Sequence, residues 1–241
     1  ADIVAKSPPD GHTLLIISAG HAINPSVYRK LPYDPVRDFT MVAQTCTGAY
    51  MLVLHPSLRA NTVQEFIALA KSMPGQLAMA SSGIGNATHL AGELFMSMTG
   101  VRMNHVPYKG GAPATTDLLA GQVTVYFATL PTMLPHVRSG RLRGLAVTTP
   151  RRAAALPDMP TIAEAGVPGY AVEGWDGIAL AAGTPRRIVE RLNDAVQRTV
   201  QSADVRQRLG AQGVETATGT PEQLLGLLQT DVAKWAGVVK K

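Results

Sequence analysis

The sequence predicts an α/β fold built on parallel strands, and three observations lead there. Short apolar runs alternate with amphipathic segments along most of the chain, the pattern that strand–helix–strand units produce. Residues 76–95, QLAMASSGIGNATHLAGELF, are the clearest such unit. An apolar run from Leu77 to Ala80 breaks at Ser81-Ser82-Gly83-Ile84-Gly85-Asn86, and Leu90, Leu94, Phe95 and Met98 then recur at helical spacing. The same order of strand, Gly-rich turn and helix returns over 103–120.

Taken in chain order, residues 1–6 read as the tail of a helix, and Thr13–Ser18 as a buried strand after the turn at Pro8–Gly11. Ser18-Ala19-Gly20-His21 closes that strand, and a short helix is expected from Pro25 to Lys30. The proline-punctuated segment 31–39 reads as a loop. Met41–Cys46 and Tyr50–His55 are strand-like, split by Thr47-Gly48-Ala49. Thr62 and Glu65 form a capping box ahead of Val63, Phe66, Ile67 and Ala70.

After the central unit come a strand (Met103–Tyr108), a turn (Lys109–Pro113) and a helix (Ala114–Ala120). A strand at Val123–Phe127, a turn with Pro131, a short helix to Gly140 and a strand at Leu142–Thr148 follow. Thr161 and Glu164 cap a single turn, and Gly177–Ala182 is a buried run. Thr184 is placed to cap a helix with Pro185 as its first residue and Ile188, Leu192, Val196 and Val200 on its buried face. Thr220 and Gln223 open a last helix carrying Leu224, Leu228, Val232 and Trp235.

Composition narrows the function. The chain has 241 residues, 46% hydrophobic but only 5% aromatic, so its core is rich in Leu, Val, Ala and Met. That length suits one large domain or two of about 100–150 residues. A net charge of +5 and a pI near 9.5 favour anionic partners. The cations are nevertheless scattered: Arg138, Arg141 and Arg143 are far from Arg186-Arg187 and from Lys240-Lys241. Without a basic run interleaved with aromatics, nucleic-acid binding is not expected. The lone Cys46 excludes an intrachain disulfide framework. No apolar run is long enough for membrane insertion as a helix. The six histidines lack metal-ligand spacing, so no metal is expected. Gly83-x-Gly85 lacks the third glycine of a dinucleotide fingerprint, and there is no phosphate loop, so no cofactor is expected either.

What remains is anion binding at the turn of 81–88. Small residues there allow backbone N–H groups to turn toward one point, and a helix start adds unpaired donors and partial positive charge. Ser81, Ser82, Asn86 and Thr88 offer side-chain hydrogen bonds, and Lys109 beside Gly110 is placed to meet a carboxylate. The same pattern also fits a tight connection with Asn86 or Thr88 as helix cap and Lys109 as a solvated loop residue. Ser82 as a nucleophile is disfavoured, because ASSGI is not a GxSxG elbow and no aspartate lies near His89 to orient it.

A family resemblance covers the whole chain. Its residues are Pro9-Asp10-Gly11-x-Thr13-Leu14-Leu15, His21-Ala22-Ile23-Asn24-Pro25, Leu31-Pro32-Tyr33-Asp34-Pro35 and Ala80-Ser81-Ser82-Gly83-x-Gly85. His89-Leu90-Ala91-Gly92-Glu93-Leu94-Phe95, His105-Val106-Pro107-Tyr108-Lys109-Gly110, Leu156-Pro157-Asp158-x-Pro160-Thr161 and Ala182-Gly183-Thr184-Pro185 continue it in order. In these motifs the sequence resembles the Bug, or TctC-like, solute-binding proteins of tripartite tricarboxylate transporters.

That resemblance implies an α/β periplasmic-binding-protein fold of type II: two lobes with mixed, mainly parallel sheets and a ligand cleft between them. Residues 1–48 plus 172–241 would form lobe 1 and residues 49–171 lobe 2. It implies a periplasmic, non-enzymatic receptor that captures a small organic carboxylate and hands it to membrane permease subunits. The alternative is an enzyme on the same fold acting on an anion through Ser82 or Lys109. Ligand contacts are expected from Ser81, Ser82, Gly83, Asn86, Thr88, Lys109, Gly110, Ala128 and Thr129 in lobe 2, and from Ser18, Gly20, His21, Trp175 and Asp176 in lobe 1.

Two departures from the family pattern qualify this. Ala128 stands where members often have an aspartate, which favours plain carboxylates over amino acids. The strand, Gly-rich loop and long helix with which members begin have no counterpart here. The resemblance therefore implies a gap in the middle of lobe 1's sheet, an exposed apolar face at Leu14 and Ile16, and weak ligand binding by this chain alone.

Overall fold

A computed structural model describes residues 1–239, and Lys240-Lys241 lie outside the described residues. The elements in order are α1 (Asp2–Ala5), β1 (Leu15–Ser18), α2 (Ala19–Val27), β2 (Phe39–Leu54), α3 (Val63–Ser72) and β3 (Ala78–Ser81). Then come α4 (Ala87–Thr99), β4 (Asn104–Pro107), α5 (Gly111–Leu119), β5 (Val125–Thr129), α6 (Leu130–Arg138) and β6 (Arg143–Val147). β7 (Glu173–Ala181), α7 (Arg186–Gln201), α8 (Ala203–Ala211), β8 (Val214–Thr216) and α9 (Pro221–Val239) complete the chain. It divides into two compact units. Unit 1 holds Ala1–Thr47, Gly174–Gly210 and Glu215–Lys241, and unit 2 holds Gly48–Glu173 and Ala211–Val214.

Strand directions are mixed. In unit 2, β3 is parallel to both β4 and β5, whereas β2 runs antiparallel to β5 and β6. In unit 1, β1 pairs antiparallel with β7, placing Ser18 opposite Asp176. β1 ends the sheet order, and its edge away from β7 has no strand partner among the described residues. The predicted exposure is there, with Ile16 78% and Leu14 46% accessible. The two runs expected on either side of Thr47-Gly48-Ala49 are one continuous strand, β2. Nothing in that tripeptide supplies a turn, and the strand passes from unit 1 to unit 2 within it.

In unit 2 the core is layered by strand alternation. Met51, Val53, Ala80, Tyr126 and Ala128 pack with Ala114 and Leu118 of α5. On the other face, Phe95 of α4 meets Phe66, Phe127 and Tyr170 with ring centroids 5.9, 5.5 and 6.2 Å away. In unit 1, Val42, Ala43, Leu180 and Val189 form a smaller cluster. The buried face of α7 runs through Val189, Asn193 and Val200, and Leu192 and Val196 of the expected stripe pack against the same cluster. Asn193 is tolerated there because its amide donates to the carbonyls of Val42 at 2.7 Å and Gly219 at 2.9 Å.

α2 begins at Ala19, six residues earlier than expected, and carries Pro25 inside it. His21 therefore lies in its first turn and is buried. Its ring stacks on Tyr33 and meets the edge of Phe39, and Nε2 donates to the Pro35 carbonyl at 3.0 Å. Burial holds its pKa below the usual value, the Pro35 hydrogen bond opposing. A histidine with a lowered folded-state pKa binds its proton less readily folded than unfolded. Stability is therefore unaffected well above the unfolded value of about 6.5 and falls as pH drops below it. The urea midpoint should decrease between pH 7.5 and 5, with a shallower decrease in His21→Gln. Equal slopes for the two proteins would show that His21 does not contribute.

Candidate functional site

In unit 2 the chain leaves β3 through α4 to β4 on one side, then returns through α5 to β5 on the other. Right-handed crossovers in opposite directions put α4 and α5 on opposite faces, as the packing of Phe95 and Ala114 shows. The direction of travel reverses at β3. Open α/β sheets leave a ligand-sized crevice beyond the carboxyl ends of the strands at such a point. Ser81 ends β3 there with Ser82 next, and Tyr126 on the neighbouring strand is in register with Ala80.

The turn after β3 is tightly tied, and mostly to itself. The Ser82 N–H donates to Thr88 Oγ1 at 2.9 Å, Gly83 N–H to Ser81 Oγ at 3.2 Å, and Gly85 N–H to His89 Nδ1 at 3.2 Å. Asn86 N–H reaches the Gly83 carbonyl at 3.2 Å, and Asn86 Oδ1 accepts the Thr88 N–H at 3.1 Å as the helix cap. Gly83 and Gly85 have φ of 139° and 71°, values that only glycine adopts cheaply. The expected convergence of this turn's amides on a ligand is thus corrected: five of them are already used inside the loop.

The free donors lie beside it. Ser82 Oγ and Tyr126 OH are 2.6 Å apart. Two hydroxyls joined by one hydrogen bond keep one hydrogen to offer elsewhere. Burial raises the Tyr126 pKa, the Ser82 and Thr88 hydrogen bonds opposing, so this phenol remains a donor at neutral pH. Gly111 opens α5 next to this pair; a methyl added there would stand 3.6 Å from both hydroxyl oxygens. Gly110, with φ of 110°, caps α5 without a side chain. The Gly111 and Ala112 N–H groups therefore have no intrahelical partner, and the helix start carries partial positive charge. Gly110 N–H itself ties the start of α5 to the turn through the Ser82 carbonyl at 3.1 Å.

The expected residues separate by this geometry. Ser82, Gly83, Thr88 and Gly110 come together, with Thr88 positioning Ser82. Ser81 is fully buried, its Oγ 2.6 Å from His105 Nε2. Such a pair would suggest an activated nucleophile, but a substrate has no access to it. Asn86 and Lys109 are exposed, and Asn86 is the cap. Thr129 is exposed at the end of β5 with Oγ1 2.8 Å from Thr132 Oγ1. Ala128 is corrected: it is fully buried and packs in the core, because alternation along β5 turns it with Tyr126 toward α5.

In unit 1, Ser18 is exposed and caps α2 through no side-chain bond, and Gly20 follows in the first turn. His21 and Trp175 are corrections, since both are committed to packing. Trp175 is 4% exposed, and its indole N–H donates to Asp231 at 2.7 Å. Asp176 is half-buried and accepts from Cys46 Sγ at 3.5 Å. Burial, then the Asp176 charge, raises the Cys46 pKa to about 11, so the thiol stays protonated and unreactive.

The sequence reading missed Tyr126 and Gly111, and it missed the carboxylate near His89. That group is Glu93, one turn along α4, with Oε1 3.2 Å from Nε2. Helical spacing of four residues was the available signal.

Comparison with known proteins gives these features a class. The fold is that of periplasmic binding proteins: it matches R. palustris Rpa4515 with adipate at TM-score 0.93 and 39% identity, over 99% of this chain and 80% of that one. MatC (Rpa3494) from Rhodopseudomonas palustris with bound malate matches at TM-score 0.89 and 32% identity, over 99% and 82%. Protein BugT of Bordetella pertussis is 36% identical over 242 residues, covering 100% of this chain and 74% of its own. A UPF0065 protein from the tcbD-tcbE intergenic region of Pseudomonas sp. (strain P51) is 38% identical, over 99% and 71%. The chain belongs to the TctC family, described as tripartite tricarboxylate transporter family receptor, which matches residues 1–241.

Proposed function

We propose that this protein is the periplasmic solute-binding receptor of a tripartite transporter, that its ligand is a small organic carboxylate, and that Ser82, Tyr126 and the start of α5 hold a carboxylate group. The observation that carries this reading is the spare hydroxyl hydrogen of the Ser82–Tyr126 pair lying beside the uncapped N-terminus of α5. A carboxylate accepts from both hydroxyl and backbone donors and is stabilised by the helix start. The adipate and malate named with the two R. palustris structures are of this chemistry.

The same geometry supports a binding role without turnover. Ser82 meets a phenol rather than a base, and the serine that does meet an imidazole is buried. Lys109, the other residue of the enzymatic alternative, is exposed. No helix among the described residues is long and apolar enough to cross a membrane. The description of the family as a transporter receptor supports assigning onward passage of the ligand to membrane permease subunits.

Calorimetry with adipate and malate tests this. Ser82→Ala combined with Thr88→Val should weaken binding of whichever ligand the unaltered protein takes by about 1–3 kcal/mol, from the lost Ser82 hydrogen bond to a charged group and the lost Thr88 support of the Ser82 N–H. Unchanged affinity in the double variant would remove Ser82 from the site.

A further inference from the structure

The same turn is held from behind by two histidines that the ligand site does not use. His89 of α4 and His105 of β4 stack with ring centroids 3.9 Å apart and planes 18° from parallel. His105 Nε2 lies 2.6 Å from Ser81 Oγ, and that oxygen accepts the Gly83 N–H. His89 Nδ1 accepts the Gly85 N–H at 3.2 Å, and its Nε2 faces Glu93 Oε1 at 3.2 Å. Each imidazole therefore secures one of the two glycines around Ile84. A nitrogen that accepts carries no hydrogen, so neutral His89 keeps its proton on Nε2, where Glu93 receives it.

We propose that His89 and His105 are positioning residues for the carboxylate-binding turn, and that His89 couples its grip to pH. A proton added at Nδ1 converts the acceptor of the Gly85 N–H into a second donor. The hydrogen bond is then lost and the turn that presents Ser82 loosens. The effect on ligand rests on Ser82 belonging to the site; the effect on the turn does not.

Three titratable groups surround His89. Glu93, on its own helix, is held below the usual carboxylate range first by its hydrogen bond to His89, with burial opposing, so it stays ionised and faces Nε2. His105, on β4, is kept from charging by burial and then by His89. Two imidazoles stacked this closely do not both charge readily. Tyr126, on β5, reaches the turn only through Ser82 and stays neutral throughout this range.

The test is a pH titration from 8 to 5 of the 15N-labelled, ligand-free chain by NMR, followed by adipate calorimetry across the same range. At pH 8 the His89 Nδ1 should be unprotonated. On acidification the Gly85 amide should shift and exchange faster with the midpoint of the His89 ring nitrogens. Adipate affinity should fall about threefold to tenfold, the worth of one such hydrogen bond. In His89→Gln, whose amide oxygen accepts without titrating, the Gly85 shift and the matching part of the affinity loss should disappear. A Gly85 amide insensitive to pH, or a proton on His89 Nδ1 at pH 8, overturns the proposal. If Gly85 titrates with His89 but adipate affinity is constant, the pH coupling of the grip is refuted. If adipate and malate bind at no pH while Gly85 still titrates, the positioning of the turn stands and the ligand reading fails.

Discussion

Phe95→Ala is expected to destabilise unit 2 by about 3–5 kcal/mol, the usual range for removing a fully buried phenylalanine. Phe95 has no exposed surface and lies among Phe66, Phe127 and Tyr170, which come from α3, β5 and the segment before β7. Three separate stretches of chain would face the cavity, so no single one can close it by relaxing. Gly92, one helical turn earlier, is already so close to Met79 that a methyl there would collide with its Sδ. α4 thus lies tight against β3 at Gly92 and cannot move inward to fill the space. The loss should appear as a lower urea midpoint in circular dichroism. A change below about 1 kcal/mol would mean that the α4 face repacks freely.

The elements that were legible in the sequence are those fixed by local chemistry. The capping pairs Thr62–Glu65, Thr161–Glu164 and Thr220–Gln223 all form, because both partners lie within one turn. Thr184-Pro185 looked equally local but is not a cap. Thr184 Oγ1 donates to the Ala181 carbonyl at 2.8 Å, and the helix starts at Arg186. Pro25 misled in a similar way: proline is favoured at a helix start, yet α2 forms from Ala19 with Pro25 within it. Pro131 reversed the error, since the expected turn is the first turn of α6. β2 could not be read as one strand from its residues, because its two halves are held by different partners.

The site divides along the same line. The turn of 81–88 was legible as a special connection from its glycines and serines. Which of its amides remain free was not, because Thr88, Ser81 and His89 fold their side chains back onto it. Tyr126 and Gly111 are distant in sequence from Ser82 and join it only through the parallel pairing of β3 with β5 and the return of the chain through α5. A tyrosine in an apolar strand carries no local mark of that role. His21 and Trp175 show the converse: polar atoms at strand or helix ends suggested ligand contact, but burial and internal partners claimed them.

Gly111→Asp tests the central claim most directly and should have the largest effect on binding. Gly111 is the first residue of α5, and a methyl there clears its nearest neighbours at 3.6 Å. An aspartate at a helix start is favourable by about 0.3–1 kcal/mol. Its carboxylate would take the donors of Ser82, Tyr126 and the α5 amides, and would oppose an incoming anion at a cost of several kcal/mol. Adipate calorimetry should therefore show affinity reduced by about 100-fold or more, with Tm equal to or above that of the unaltered protein and Gly111→Ala much less affected. Adipate binding by Gly111→Asp within about twofold of the unaltered protein would contradict a carboxylate site at Ser82, Tyr126 and the start of α5.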